Sequence, residues 1–262
     1  MLELNPDLAS GFLNPGWPLW FTGRAEEALP YLKNALALEP ASAWAHFYVG
    51  NASLALELYE QAEEMYGKAI ALENLSSGRI GLICTNLSHG KREQAIEQNR
   101  RFRANPDDDR YFVKAADVEL LLGNAVEARV FAEKAVAKEP EARYFPRGVY
   151  PTTILGCILW DEARDTAQRR LGQSADMNRT CLDEGDESFM PRYDLAAVNA
   201  IRGEKAEAYR WLQSAIDAGW RTYRLAMRDP LFRNLHNDRQ FQQMMAQVKG
   251  KIETAKQHLQ QA

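Results

Sequence analysis

Four histidines, His46, His89, His236 and His258, and three cysteines, Cys84, Cys157 and Cys181, are the residues of this chain best suited to ligate a metal or to act as base or nucleophile. A helical metal site needs two such side chains about four residues apart, and a zinc or redox site needs closely paired cysteines. The histidines never recur at that spacing and the cysteines are scattered and odd in number. His46 is expected to be a packed imidazole. Adjacent carboxylates such as Glu26-Glu27 and Glu63-Glu64 could in principle share a proton, but they lie beside Lys or Arg on what read as solvated helix faces. There is no GxxxxGK[ST] loop, no GxGxxG after a strand, no GxSxG elbow and no HExxH. The residues therefore predict neither an enzyme nor a bound cofactor or metal.

Binding is the remaining class, and the bulk properties narrow it. With 46% apolar and 26% charged residues over 262 positions, the chain can build a core throughout. A formal net charge of -4 argues against nucleic acid or an anionic membrane as the main partner, since both require a concentrated positive field. The run Arg100, Arg101 and Arg103 reads as a solvated face. No stretch is long and apolar enough to span a bilayer and the start lacks a secretory pattern, so a cytoplasmic setting is expected.

The elements that would carry a binding surface announce themselves by repetition. Leu2-Glu3-Leu4-Asn5-Pro6 returns 34 residues later as Leu36-Ala37-Leu38-Glu39-Pro40, and Pro106 and Pro140 share that spacing. Within each unit an alanine is followed at i+4 by a larger residue and at i+7 by a small one: Ala28, Leu32, Ala35; Ala62, Tyr66, Ala69; Ala167, Leu171, Ser174; Ala208, Leu212, Ala215. Weaker copies begin at Ala95 and Ala128. Positions i, i+4 and i+7 form one stripe of an α-helix, and alanine on the stripe lets a neighbouring helix approach closely. A glycine five residues upstream, at Gly23, Gly90, Gly123 and Gly203, is placed to end the preceding helix in a left-handed turn. Each unit is then a helical hairpin. Its first helix carries a matching small residue, as at Gly50, Cys84, Ala116, Gly156 and Ala196.

Val49-Gly50, Ala62, Tyr66 and Ala69, with Gly123, Ala128, Ala135 and Pro140, resemble tetratricopeptide repeats, and the likeness extends over nearly the whole chain. The resemblance implies an all-α, right-handed superhelix of about six hairpins. Residues 1–143 read as regular repeats, 144–220 as looser repeats with insertions, and 221–262 as a C-terminal cap. The alanine markers step by 34, 33 and 33 residues and then by 39 and 41. The excess is assigned to irregular connections near Tyr144 to Pro151 and Asp183 to Pro191. Pro15 and Pro18 are expected to break the first helix, and Gly78 and Gly81 to weaken that of the third unit. After Trp220 the period stops. Asp229-Pro230-Leu231-Phe232 and an amphipathic run through about Gln257 follow. With Tyr193-Asp194-Leu195-Ala196 and Ala218-Gly219-Trp220, this last third is similar to the C-terminal repeat regions of bacterial nucleotide cyclases, serine/threonine kinases and winged-helix transcription factors.

Repeats of this kind build a concave surface from first-helix residues that point away from the partner helix. Here those positions hold Trp44, Phe47, Tyr48, Asn51 and Leu54 in the second unit and Leu13 and Trp17 in the first. The fourth supplies Arg110, Lys114 and Asp117, the fifth Tyr150, Ile154 and Trp160, and the sixth Tyr193 and Asp194. Aromatic area with a few polar groups suits an extended peptide or a partner helix, although Trp44 and Phe47 could equally fill space between neighbouring repeats. Two other functions stay open. A small-molecule sensor or cryptic hydrolase could use the irregular segments, and self-association could use Phe12, Trp17, Trp20 and Phe21, which form an under-covered edge if the chain opens in mid-repeat.

Overall fold

Helix follows helix from Ala25 onward because each one hides its alanine stripe against the next. In the computed structural model, residues 22–104, 106, 110–144 and 146–261 are described, together with 16, 19 and 20. The expectations for Phe12, Leu13, Pro15, Trp17, Pro18 and Phe21 lie outside them, while Trp20 is buried. The chain forms two compact units, Met1–Phe102 with Gln247–Ala262, and Arg103–Ala246. The boundaries anticipated after residues 143 and 220 both fall inside the second of these.

The first unit contains α1 (Ala25–Leu38), α2 (Ala43–Ala55), α3 (Tyr59–Glu73), α4 (Ser76–Ser88) and α5 (Arg92–Arg103, its last residue assigned to the second unit). Ser42 caps α2 by accepting the amide of Ala45 at 3.2 Å. Apart from Trp44 and Tyr48, every residue of α2 is buried, as befits a helix packed against α1, α3 and α4. The second helices bury only a stripe. In α1 it includes Ala28, Leu32 and Ala35, and in α3 Ala62, Tyr66 and Ala69. First helices therefore form an inner layer and second helices an outer one.

α4 runs unbroken through Gly78 and Gly81. Their role is spatial. The Tyr66 ring is wedged between two first helices, so that a Cβ on Gly81 would stand 2.4 Å from the ring and one on Gly50 2.8 Å from it. The ring also donates its hydroxyl to Asn51 Oδ1 at 2.6 Å. At the turns, Gly23, Gly90, Gly123 and Gly203 do take positive φ, between 79° and 83°. Glu57 holds the corresponding place at φ 53°, a conformation that costs a non-glycine residue free energy.

The second unit continues with α6 (Tyr111–Leu121), α7 (Ala125–Lys138), α8 (Pro151–Leu159), α9 (Arg164–Asp183), α10 (Phe189–Arg202) and α11 (Lys205–Asp217). Residues 139–144 and 146–150 form an irregular connection that takes in the segment anticipated near Tyr144 to Pro151, although Pro151 itself opens α8. The second anticipated hinge, Asp183 to Pro191, holds the turn 184–188 between α9, which reaches Asp183 over 20 residues, and α10, which begins at Phe189, so that most of the added length lies in the extension of α9. That extension is extra helix, which keeps its backbone groups paired. After α12 (Tyr223–Ala226), a 3₁₀ turn at Pro230–Phe232 leads into α13 (Arg239–Gln261). Phe241, Met244, Met245 and Val248 of α13 are buried, as their helical spacing predicts.

Gly81→Ala is expected to destabilise the protein by roughly 1–3 kcal/mol, the usual effect of forcing volume into a packed site. Denaturant titration checks this. Combining it with Tyr66→Leu, which removes the clashing ring, is expected to bring a smaller further loss than Tyr66→Leu causes in the wild-type background.

Candidate binding surfaces

In the first unit, α2 presents two residues outward. Trp44 is 45% exposed and Tyr48 is half-buried. The indole meets Phe47 edge-on at 5.7 Å between ring centroids and lies 6.0 Å from Tyr48. Phe47 is buried and continues inward to Tyr66, 6.0 Å away. Asn51 is fully buried; with its oxygen taken by Tyr66, its Nδ2 has no partner among the described residues. Of the two readings left open by the residue types, Phe47 fills space while Trp44 and Tyr48 form an exposed aromatic surface.

The groove residues assigned to the second unit are placed differently. Arg110 is exposed at the start of α6. Lys114 is buried, with Nζ 4.8 Å from the centroid of the Tyr144 ring. Asp117 and Tyr193 belong to the interior, held by partners that lie far from them in sequence, Arg147 in the irregular connection and Asp229 before the 3₁₀ turn. Arg147 is fully buried; its Nε donates to Asp117 Oδ1 at 3.0 Å, its Nη2 contacts the same oxygen, and Nη1 stands 2.5 Å from Asp229 Oδ1. Tyr193 donates its hydroxyl to Asp229 Oδ2, and the Leu231 amide donates to Asp229 Oδ1, both at 3.0 Å. Asp229 thus caps the 3₁₀ turn and tethers it to α10 and to the connection. The Tyr193 ring lies 5.1 Å from Trp220 and 5.2 Å from Phe232. Burial, with Asp229 as acceptor, holds the Tyr193 hydroxyl far above its ordinary pKa.

Beside this network, Asp194 is also fully buried. Its Oδ2 accepts the Tyr150 amide at 3.2 Å and Asn178 Nδ2 at 2.8 Å, which joins the start of α8 to α9 and α10. Burial pushes its pKa up to about 6, against the opposing pull of these hydrogen bonds. Toward the surface, Arg143 divides two clefts of about 720 and 560 Å³. Its Nη2 contacts Asp186 Oδ2 at 3.2 Å and Cys181 Sγ at 3.4 Å, and its guanidinium lies 5.0 Å from the centroid of the Tyr150 ring. Among the described residues, no group of three or more His, Cys, Asp and Glu is placed to hold a metal ion, and no helix is long and apolar enough to cross a membrane. His46 is buried, its Nδ1 3.0 Å from the Ser42 carbonyl oxygen.

Two outcomes follow from the buried charges. Arg147→Met leaves Asp117 and Asp229 without their counter-ion and is expected to cost about 3–5 kcal/mol, read by denaturation with the buried Trp220 as a fluorescent probe. For Asp194, the raised pKa means that the folded state takes up its proton more readily than the unfolded chain. Its ionisation penalty is therefore fully present above about pH 6 and disappears as pH falls toward 3.8. Relative to Asp194→Asn, the wild-type protein is expected to gain about 1.4 kcal/mol between pH 7.5 and 5, measured by paired denaturant titrations; a constant difference would contradict this.

Comparison with known proteins places the first repeats. Residues 22–76 match the tetratricopeptide repeat family. No curated protein gives a significant match. Similar solved structures include YrrB, a TPR protein with an unusual peptide-binding site, at 19% identity and a TM-score of 0.30 over 83% of this chain and 89% of that one. Yeast Tom70 is 15% identical with a TM-score of 0.39, covering 92% of this chain and 55% of Tom70. The TPR domain of P58(IPK) is 12% identical with a TM-score of 0.35, over 94% and 99% of the two chains. Residues 22–76 thus match a tetratricopeptide repeat, and the described residues continue the same alanine-striped helical hairpin through α11 in an all-α array.

Proposed function

We propose that the protein is a peptide- or protein-binding scaffold and that Trp44 and Tyr48 form the centre of its binding surface. The observation that carries this reading is the exposure of Trp44 on a helix where every residue but Tyr48 is otherwise buried. An indole held edge-on by Phe47 is pre-positioned and has little rotamer freedom to lose on binding. In the second unit, separately, the exposed Arg110 offers a charge to an acidic partner, and Lys114, Asp117 and Tyr193 act behind the surface of that unit by fixing its own helices. The match of residues 22–76 to a repeat family supports the scaffold reading. A regulatory place within a larger, cytoplasmic bacterial signalling protein belongs to the same proposal, on the strength of the C-terminal resemblance. The alternative of a small-molecule sensor draws support from the two clefts at Arg143, and a thermal-shift screen against metabolites discriminates it.

Peptides selected from a displayed library against the whole protein provide the test. Trp44→Ala is expected to weaken them by about 2 kcal/mol, roughly thirtyfold, while the melting temperature stays close to wild type. Selected peptides that bind both proteins equally would remove Trp44 from the site. Arg110→Glu is expected to act mainly on the association rate and its salt dependence.

A further inference from the structure

Apart from the aromatic surface, the first unit has a polar cleft of about 440 Å³. Leu82 and Asn86, one turn apart on α4, contribute to it together with Glu63 of α3 and Glu93, Gln94 and Gln98 of α5. Its charges are unevenly matched. Glu63 is engaged by Lys91 at 2.6 Å; Glu97 and Arg101 both line the cleft and pair with each other at 3.1 Å, and Glu97 also meets Arg100 at 2.5 Å. Glu93, Gln94 and Gln98 have no hydrogen bond or ion pair among the described residues. Asn86 is 3% exposed, and its buried Oδ1 has no hydrogen-bond partner among the described residues. A buried carboxamide without partners is uncommon in a folded protein, because water or another group ordinarily satisfies it.

The unpaired Asn86 oxygen therefore shares one cleft with the half-buried Gln98 and with Gln94 and Glu93, which face solvent. Carboxamides both donate and accept, which matches the alternating N–H and C=O groups of an extended main chain. The carboxylate only accepts and calls for a cation. We propose that this cleft binds an extended basic segment of a partner protein, its main-chain amides meeting Asn86, Gln94 and Gln98 and a Lys or Arg side chain meeting Glu93. This second surface stands independently of the one at Trp44.

The experiment is an NMR titration of the whole chain with a capped Gly-Gly-Arg-Gly-Gly peptide, following the side-chain amide resonances of Asn86, Gln94 and Gln98. Saturable shifts at these three groups are expected. Glu93→Lys, at an exposed position, is expected to weaken binding about tenfold or more with an unchanged melting curve, whereas Trp44→Ala leaves it unaltered. Gly-Gly-Gln-Gly-Gly is expected to bind more weakly. The proposal is overturned if the arginine peptide produces no shifts at these amides, if Glu93→Lys binds as well as wild type, or if arginine amide alone binds as tightly as the peptide.

Discussion

Close approach between the two layers of helices is the constraint on which the rest of this structure depends. Ala28, Ala62, Ala95, Ala128, Ala167 and Ala208 have no exposed surface at all, so each second helix lies against its neighbours with only a methyl group at the contact. A larger residue on the same stripe then needs a hole to enter. Tyr66 finds one between Gly50 and Gly81, and Leu171 finds one at Gly156. The glycines of these first helices reduce intrinsic helix propensity, yet the volume they leave allows aromatic and branched side chains to pack across the layers.

This packing rule also determines which side chains remain for partners. An inner helix surrounded by others has almost no free surface, so Trp44 and Tyr48 are conspicuous as the two residues of α2 that escape burial. The outer helices are polar on their free faces and paired there by local ion pairs such as Glu64 with Lys68 and Glu207 with Arg210. Such exposed pairs add little stability but keep the outer layer solvated.

The second unit adds a different device. Between α7 and α8 the regular helical pairing gives way to isolated backbone bonds, from Ala142 N–H to the Glu139 carbonyl and from Gly148 N–H to the Tyr144 carbonyl, and buried side chains supply the rest of the connection. Arg147 gathers Asp117 and Asp229, while Asp194 holds the amide of Tyr150. Buried ion pairs are expensive to desolvate and specify geometry more than they add stability. The Asp229-Pro230-Leu231-Phe232 motif is therefore more than a helix start, because its aspartate caps a turn and closes a charged network at the same time.

Periodicity by itself determined the helical hairpins, the buried alanine stripes, the left-handed glycines and the amphipathic last helix, since each depends on local spacing along one helix or turn. It placed aromatics on several first helices without deciding whether Trp44 and Phe47 face a partner or fill space. Only the tertiary structure decided that Phe47 and Asn51 turn inward while Trp44 does not, because that depends on which neighbouring helix covers each position. The same holds for Asp117 and Tyr193. Their residue types suited an open groove, but their partners lie 30 and 36 residues away in Arg147 and Asp229, a pairing that no local pattern encodes. At Gly81 the sequence shows a low helix propensity, a local quantity, whereas the room that this glycine leaves for the ring of Tyr66 belongs to the tertiary structure.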